Sequence, residues 1–154
     1  MEGSQAKMEK NNLTQGLPAR IILETTIVQE EEVFKNAFDE LGRIVLMNDN
    51  YYLRFEETEG ENAGVVTLIK IDPDGVVHIT RHTEHKTRLI FNQEEDTYTD
   101  YITPTGIMQM RVETKRVSSS YHETPFAGDI EIDYIMYMED IPLRTYQIRL
   151  RFTT

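Results

Sequence analysis

The stretch His78-Ile79-Thr80-Arg81-His82-Thr83-Glu84-His85 gathers three of the four histidines in a chain of 154 residues. Imidazoles with a carboxylate among them are what a chain without cysteine could offer a transition metal. Spacing decides whether they can share an ion. On a strand, His78 and His82 point to one face but stand ~13 Å apart at about 3.3 Å per residue, beyond any common metal. Only His82, Glu84 and His85 could meet, across a turn, and no metal site is expected there. Asp129, Glu131 and Asp133 form a second acidic ladder. Alternate strand residues are about 7 Å apart, too far for tight chelation of one ion, so a solvated strand face is the better reading. Tyr121-His122-Glu123 has the types of a general base and its orienting acid, but neighbours in sequence seldom converge on one proton. There is no Gly-x-Ser-x-Gly and no phosphate-cradling glycine loop, and serine is scarce outside Ser118-Ser119-Ser120. Neither catalysis nor a cofactor is expected.

Bulk properties narrow the field further. A chain of 154 residues suits one domain with a single core. Without cysteine it has no disulfide, no thiolate nucleophile and no sulfur ligand, which fits a cytoplasmic protein. No apolar run approaches the ~18 residues of a membrane span, and residues 1–18 lack the apolar centre of a secretory signal. The net charge of -11 argues against a nucleic-acid partner held by phosphate neutralisation. Acidic runs at Glu30-Glu31-Glu32, Glu56-Glu57-Thr58-Glu59-Gly60-Glu61 and Glu94-Glu95-Asp96 fall where the apolar pattern breaks, as solvated turns do.

The elements that must position any site read as strands. Residues 1–17 are polar without either period and are expected to form a disordered tail, with the folded domain at 18–154. Beyond Pro18 nearly every segment alternates with period two. Tyr146, Ile148, Leu150 and Phe152 oppose Gln147, Arg149 and Arg151; Met108, Met110 and Val112 oppose Gln109, Arg111 and Glu113. Further strands are expected at 20–29, 33–40, 43–47, 51–57, 65–71, 76–82, 87–91, 98–103 and 129–138, with one short helical piece within 118–128. Asn48-Asp49-Asn50, Asp72-Pro73-Asp74-Gly75 and Thr103-Pro104-Thr105-Gly106 supply turns. An all-β fold of about 8–11 short antiparallel strands must hide its edges, and a single up-and-down β-barrel does so; a two-sheet sandwich is the alternative.

Turn chemistry also registers two hairpins. With Gly75 in the left-handed position, Ile71 faces Val77, Ile69 faces Ile79 and Thr67 faces Arg81, which sends Arg81 inward and Lys70 and His78 outward. An inward arginine either anchors an anionic ligand group or pairs with a carboxylate or main-chain carbonyls. Placing Thr103 opposite Gly106 puts Tyr101 beside Met108 on the core side, sparing Asp100 from burial.

The runs Tyr52-Leu53-Arg54-Phe55-Glu56-Glu57, Thr67-Leu68-Ile69-Lys70-Ile71, Asp74-Gly75, Ile79-Thr80-Arg81, Arg88-Leu89-Ile90-Phe91, Tyr101-Ile102-Thr103-Pro104-Thr105-Gly106 and Val112-Glu113-Thr114 resemble the YwiB-like family of small bacterial proteins of unknown function. The resemblance runs from about residue 19 to the C-terminus. It implies a calycin-like β-barrel, the architecture of lipocalins and fatty-acid-binding proteins, and it carries no assigned activity or catalytic residue. The chain departs from the family pattern at His82-Thr83-Glu84 and at Gln93-Glu94-Glu95, where glycines are common.

Two functions compete. One is a barrel that binds a small apolar or anionic molecule, lined by Tyr51, Leu53, Phe55, Met108, Met110, Tyr134, Met136 and Tyr146, with Arg81 and Tyr101 as polar contacts. The other is a filled barrel acting as a protein-interaction or regulatory module, as a homodimer, with Ile135 and Tyr137 on the outward face.

Overall fold

A computed structural model describes residues 12–154 except Glu59 and Asn62. Its ten strands are β1 (Leu17–Gln29), β2 (Glu32–Met47), β3 (Asn50–Glu56), β4 (Val66–Ile71), β5 (Val77–His82), β6 (Lys86–Phe91), β7 (Thr97–Thr103), β8 (Gly106–Glu123), β9 (Phe126–Met138) and β10 (Ile141–Thr153). They form one antiparallel sheet in the order β6-β5-β4-β3-β2-β1-β10-β9-β8-β7. Neighbours in this order are consecutive in sequence except β1 and β10, whose pairing wraps the meander around. The turns fall alternately at two ends. We call lower the end holding the β2–β3, β4–β5, β6–β7 and β8–β9 turns, and upper the end holding the others.

The last seam closes differently. β6 and β7 share no ladder; instead the hydroxyl of Thr99 donates to the Arg88 carbonyl at 2.8 Å and that of Thr97 to the Ile90 carbonyl. The barrel is therefore nearly closed, and threonine side chains do at this seam what amide groups do elsewhere.

Both registered hairpins pair as the turn chemistry requires. Thr67 faces Arg81, Ile69 faces Ile79 and Ile71 faces Val77, around a Gly75 with φ of 89°. The Asp72 carboxylate accepts from the amides of Asp74 and Val76, which locks the turn. Tyr101 faces Met108 and Thr103 faces Gly106.

Three expectations need correction. The segments 33–40 and 43–47 are one strand, β2, because Gly42 carries the ladder through a close approach: a Cβ there would sit 2.2 Å from the Arg54 carbonyl oxygen and 2.7 Å from Ile21 Cδ1. The region 118–128 is the lower half of the β8–β9 hairpin and not a helix, its turn being at Thr124-Pro125. As strand side chains, Tyr121 and Phe126 lie on the paired strands of one ladder and pack with Phe152 inside the barrel. Residues 12–15 form a helical turn that seats Leu13 in the core at 1% exposure, and β1 begins at Leu17, so the tail expectation fails for residues 12–17; residues 1–11 lie outside the described residues.

The inner face is packed along its length. Tyr51, Tyr121, Phe126 and Phe152 stack near the lower end, with centroids 5.0 to 5.5 Å apart for Tyr51–Tyr121, Tyr51–Phe126 and Phe126–Phe152. The Phe152 ring covers Gly128, where a Cβ would come within 2.4 Å of it. Higher up, Tyr134 stacks on Tyr146 at 4.5 Å and 2° and meets Phe91 at 4.7 Å.

Replacing Thr99 by Val keeps the shape of this buried side chain and removes its seam hydrogen bond. The expected loss is about 1–2 kcal/mol of unfolding free energy. It should come with faster amide exchange confined to β6 and β7, read by denaturant titration and hydrogen exchange.

Candidate functional site

Charge on the inner face is the first thing to place, since an unpaired charge there is costly. Arg81 points inward and donates from Nη2 to Glu57 Oε1 at 2.7 Å. The two partners are unequally sheltered, with side chains 39% and 2% exposed. Arg81 is thus paired with a carboxylate near the upper end, and the second oxygen of that carboxylate, Glu57 Oε2, is buried without a hydrogen-bond partner. Glu57 was expected among solvated turn residues. It is instead the next inward position after Tyr51, Leu53 and Phe55, and the turn that follows ties it down through Glu57 N to Val65 O and Gly64 N to Glu57 O.

Another inner-face charge, Arg144, escaped the sequence reading. Arg144 lies opposite Met136, itself buried, and two residues before Tyr146, after a register shift at Leu143. Its guanidinium donates to Gln29 Oε1 at 3.1 Å and comes within 3.5 Å of the Tyr146 hydroxyl. That hydroxyl raises the guanidinium above its usual range. No carboxylate pairs with Arg144 among the described residues. The signal was present in the alternation of β10, because Arg144 shares the parity of Tyr146.

Around Arg144 the inner face forms a belt. Cross-strand register aligns Phe34 with Ile27, Ile27 with Tyr146, and Tyr146 with Tyr134. Tyr101 approaches from β7: burial raises its phenol, Tyr146 adds to this and Arg144 opposes it. Burial holds Tyr134 well above the ordinary tyrosine value, with Tyr146 and Tyr101 contributing. Phe34, Met108 and Ile141 remain open at 50%, 38% and 59% exposure.

The six candidate residues therefore divide. Phe55 and Tyr134 are core, at 2% and 3% exposure, and Tyr51 belongs to the lower aromatic stack. Tyr101 is half-buried beside Arg144. Met108 is not a deep lining residue; it sits at the upper rim, where β7 and β8 run past the closed part of the wall. Arg81 is held by Glu57. The best-formed concavities lie on the outer wall or at the rims, and of the six only Met108 lines one, with Tyr98, Ile107 and Met138.

Outer-wall features have local explanations. Asp129 pairs with Arg151, Glu131 with Arg116, and Asp133 with Arg149, at 2.7 to 2.9 Å. Tyr137 is only half exposed: Arg111 lies 4.1 Å over its ring and its hydroxyl donates to Glu113. His82 and His85 are exposed on either side of a turn in which the Thr83 hydroxyl donates to the His85 carbonyl. Among the described residues no group of three His, Asp or Glu is placed to hold a metal, and no helix is long and apolar enough to cross a membrane.

Comparison with known proteins agrees with this architecture. Residues 21–150 match the family model described as a domain of unknown function, DUF1934. The chain belongs to that family. Its fold is also that of the ywiB protein from Bacillus subtilis, whose crystal structure superposes with a TM-score of 0.76 over 94% of this chain and 96% of that one at 21% identity. No curated protein matches. The family is YwiB-like, of barrel fold and unknown function.

Folding keeps Tyr51, Tyr101, Tyr121 and Tyr134 protonated, in each case chiefly by burial. A phenol whose value is raised by folding contributes stability that is complete below its unfolded value, about 10, and is lost as pH climbs through the folded values. These tyrosines should ionise together with unfolding in one alkaline transition above about pH 10, seen as phenolate absorbance and lost near-ultraviolet dichroism at the same pH. Smooth ionisation of all four with the barrel intact would contradict this.

Proposed function

We propose that the barrel binds a small amphipathic molecule at its upper mouth, with an anionic group against Arg144 and an apolar part over Phe34, Met108 and Ile141. The observation that carries this reading is Arg144 itself, an inner-face guanidinium without a carboxylate partner among the described residues. A guanidinium fork flanked by tyrosines suits a carboxylate or similar head group. The three exposed apolar side chains above it offer a partly dehydrated seat. Arg81 is the weaker anchor, because its charge is already answered by Glu57. The stacked Tyr134–Tyr146 pair forms the floor, so the ligand stays near the mouth and does not thread the barrel.

A second reading rests on β2. Its ladder to β1 runs from Glu32 to Ile44, whereas β3 pairs only from Gly42 to Met47. The segment 32–41 therefore has one unpaired edge, carrying Val33 and Phe34 at 57% and 50% exposure. A second copy could add there antiparallel, and centring the pair on Ala37 sets Lys35 of one copy opposite Asp39 of the other.

Calorimetric titration with dodecanoate tests the first reading. Saturable binding should weaken about tenfold or more in Arg144→Gln and little in Arg81→Gln. Binding indifferent to Arg144 would discard the mouth as the site. Light scattering of the same samples decides the second reading: a dimer that Phe34→Glu dissociates supports it, and a monomer at all concentrations refutes it.

A further inference from the structure

The chain carries a net charge of -11, yet its bases are not evenly spread. Ladder registers align Arg43 with Arg54, Arg54 with Leu68, Leu68 with Thr80 and Thr80 with Arg88 across β2 to β6. A neighbouring row aligns Tyr52, Lys70, His78 and Ile90. These rows occupy the outer face, opposite the buried Leu53, Ile69 and Ile79. With Lys86 they bring five of the chain's 16 lysines and arginines onto one wall. None of the five takes part in an ion pair among the described residues, while Arg20, Arg81, Arg111, Lys115, Arg116, Arg149 and Arg151 all do. The nearest acids of the wall lie at its margins: Glu56 at the upper end of β3, Glu84 in the β5–β6 turn and Asp72 in the β4–β5 turn.

At its centre is a concavity of about 170 Å³ lined by Tyr52, Leu68, Lys70, His78, Thr80, Lys86 and Arg88. Arg88 Nη2 lies 3.0 Å from His78 Nδ1. A guanidinium can only donate, so that nitrogen is the acceptor and the imidazole is neutral in this contact. Burial, followed by Arg88 and Lys70, lowers the His78 value, with Asp72 opposing, which keeps it so at neutral pH. His78 thereby aims the Arg88 fork and adds no charge of its own.

We infer that this concavity is a binding site for a small phosphate-bearing molecule, held by Lys70, Lys86 and Arg88 with the Thr80 hydroxyl and the Tyr52 ring beside them. Unpaired bases around a partly enclosed hollow match a compact multivalent anion. The hollow has room for a phosphate group or two, and the acidic remainder of the chain repels long polyanions. The site is on the outside of the wall and is independent of Arg144 and the mouth.

The test is amide NMR of the full chain titrated with inorganic pyrophosphate. Saturating shifts are expected at Lys70, His78, Thr80 and Arg88. The affinity should fall about tenfold or more in the Lys70→Gln, Arg88→Gln double variant and stay unchanged in Arg116→Gln, which removes a base paired elsewhere. Because the exchanged side chains are on the outer face, an unchanged melting temperature verifies that the variant folds. The inference is overturned by shifts that do not saturate, by an equal loss in Arg116→Gln, or by binding seen only with a single-stranded oligonucleotide or anionic vesicles.

Discussion

A ten-stranded sheet has two edges, and everything else in this molecule depends on bringing β6 and β7 together to remove them. The join is made without a ladder, by the Thr97 and Thr99 hydroxyls reaching the main chain of β6. Each such bond is modest, but an open edge in an alternating sheet would expose the inner faces of β4 to β7 to water. Closure turns one apolar face into an interior. It also makes inward charge expensive, so that a carboxylate or guanidinium facing inward needs a partner or lies near an opening.

The inner-face charges obey that constraint in different ways. Glu57 is buried and holds Arg81, whose other side reaches solvent. Arg144 stays at the mouth, where hydration and the Tyr146 hydroxyl replace a carboxylate. Below them the interior belongs to rings: Phe91, Tyr134 and Tyr146 at mid-height, and Tyr51, Tyr121, Phe126 and Phe152 beneath. A barrel of this strand number could enclose a cavity, but aromatic side chains from opposite walls meet across it. Polar chemistry is thereby pushed to the upper rim and the outer wall.

Charge follows the topology as well. The acids of β9 are answered by arginines on β8 and β10, because those strands flank it at matching register. The outer-face bases Arg43, Arg54, Lys70, Lys86 and Arg88 meet no acid across the β2 to β6 ladders, so they remain without an ion pair among the described residues. Net charge, a sum over the chain, therefore misleads about any one face. The argument from -11 against a nucleic-acid partner concerns long polyanions and does not extend to a small anion at the wall around His78.

Alternation and turn chemistry, both local, were enough to read the all-β fold, most strands and the Arg81 and Tyr101 hairpin registers, while resemblance over several short runs pointed to the YwiB-like family. The inward direction of Glu57 and Arg144 was equally local, since each continues a row of inward residues, but acidity and the end of a strand masked it. Only the tertiary structure decided what Arg81 pairs with, that Gly42 joins two segments into β2, that 118–128 stays extended, and which bases share a wall. Each of these turns on which strand lies beside which and where the sheet closes. The His78 to His85 stretch shows the difference: strand spacing alone separates its histidines, while the partner of His78 comes from the next strand, ten residues away in Arg88.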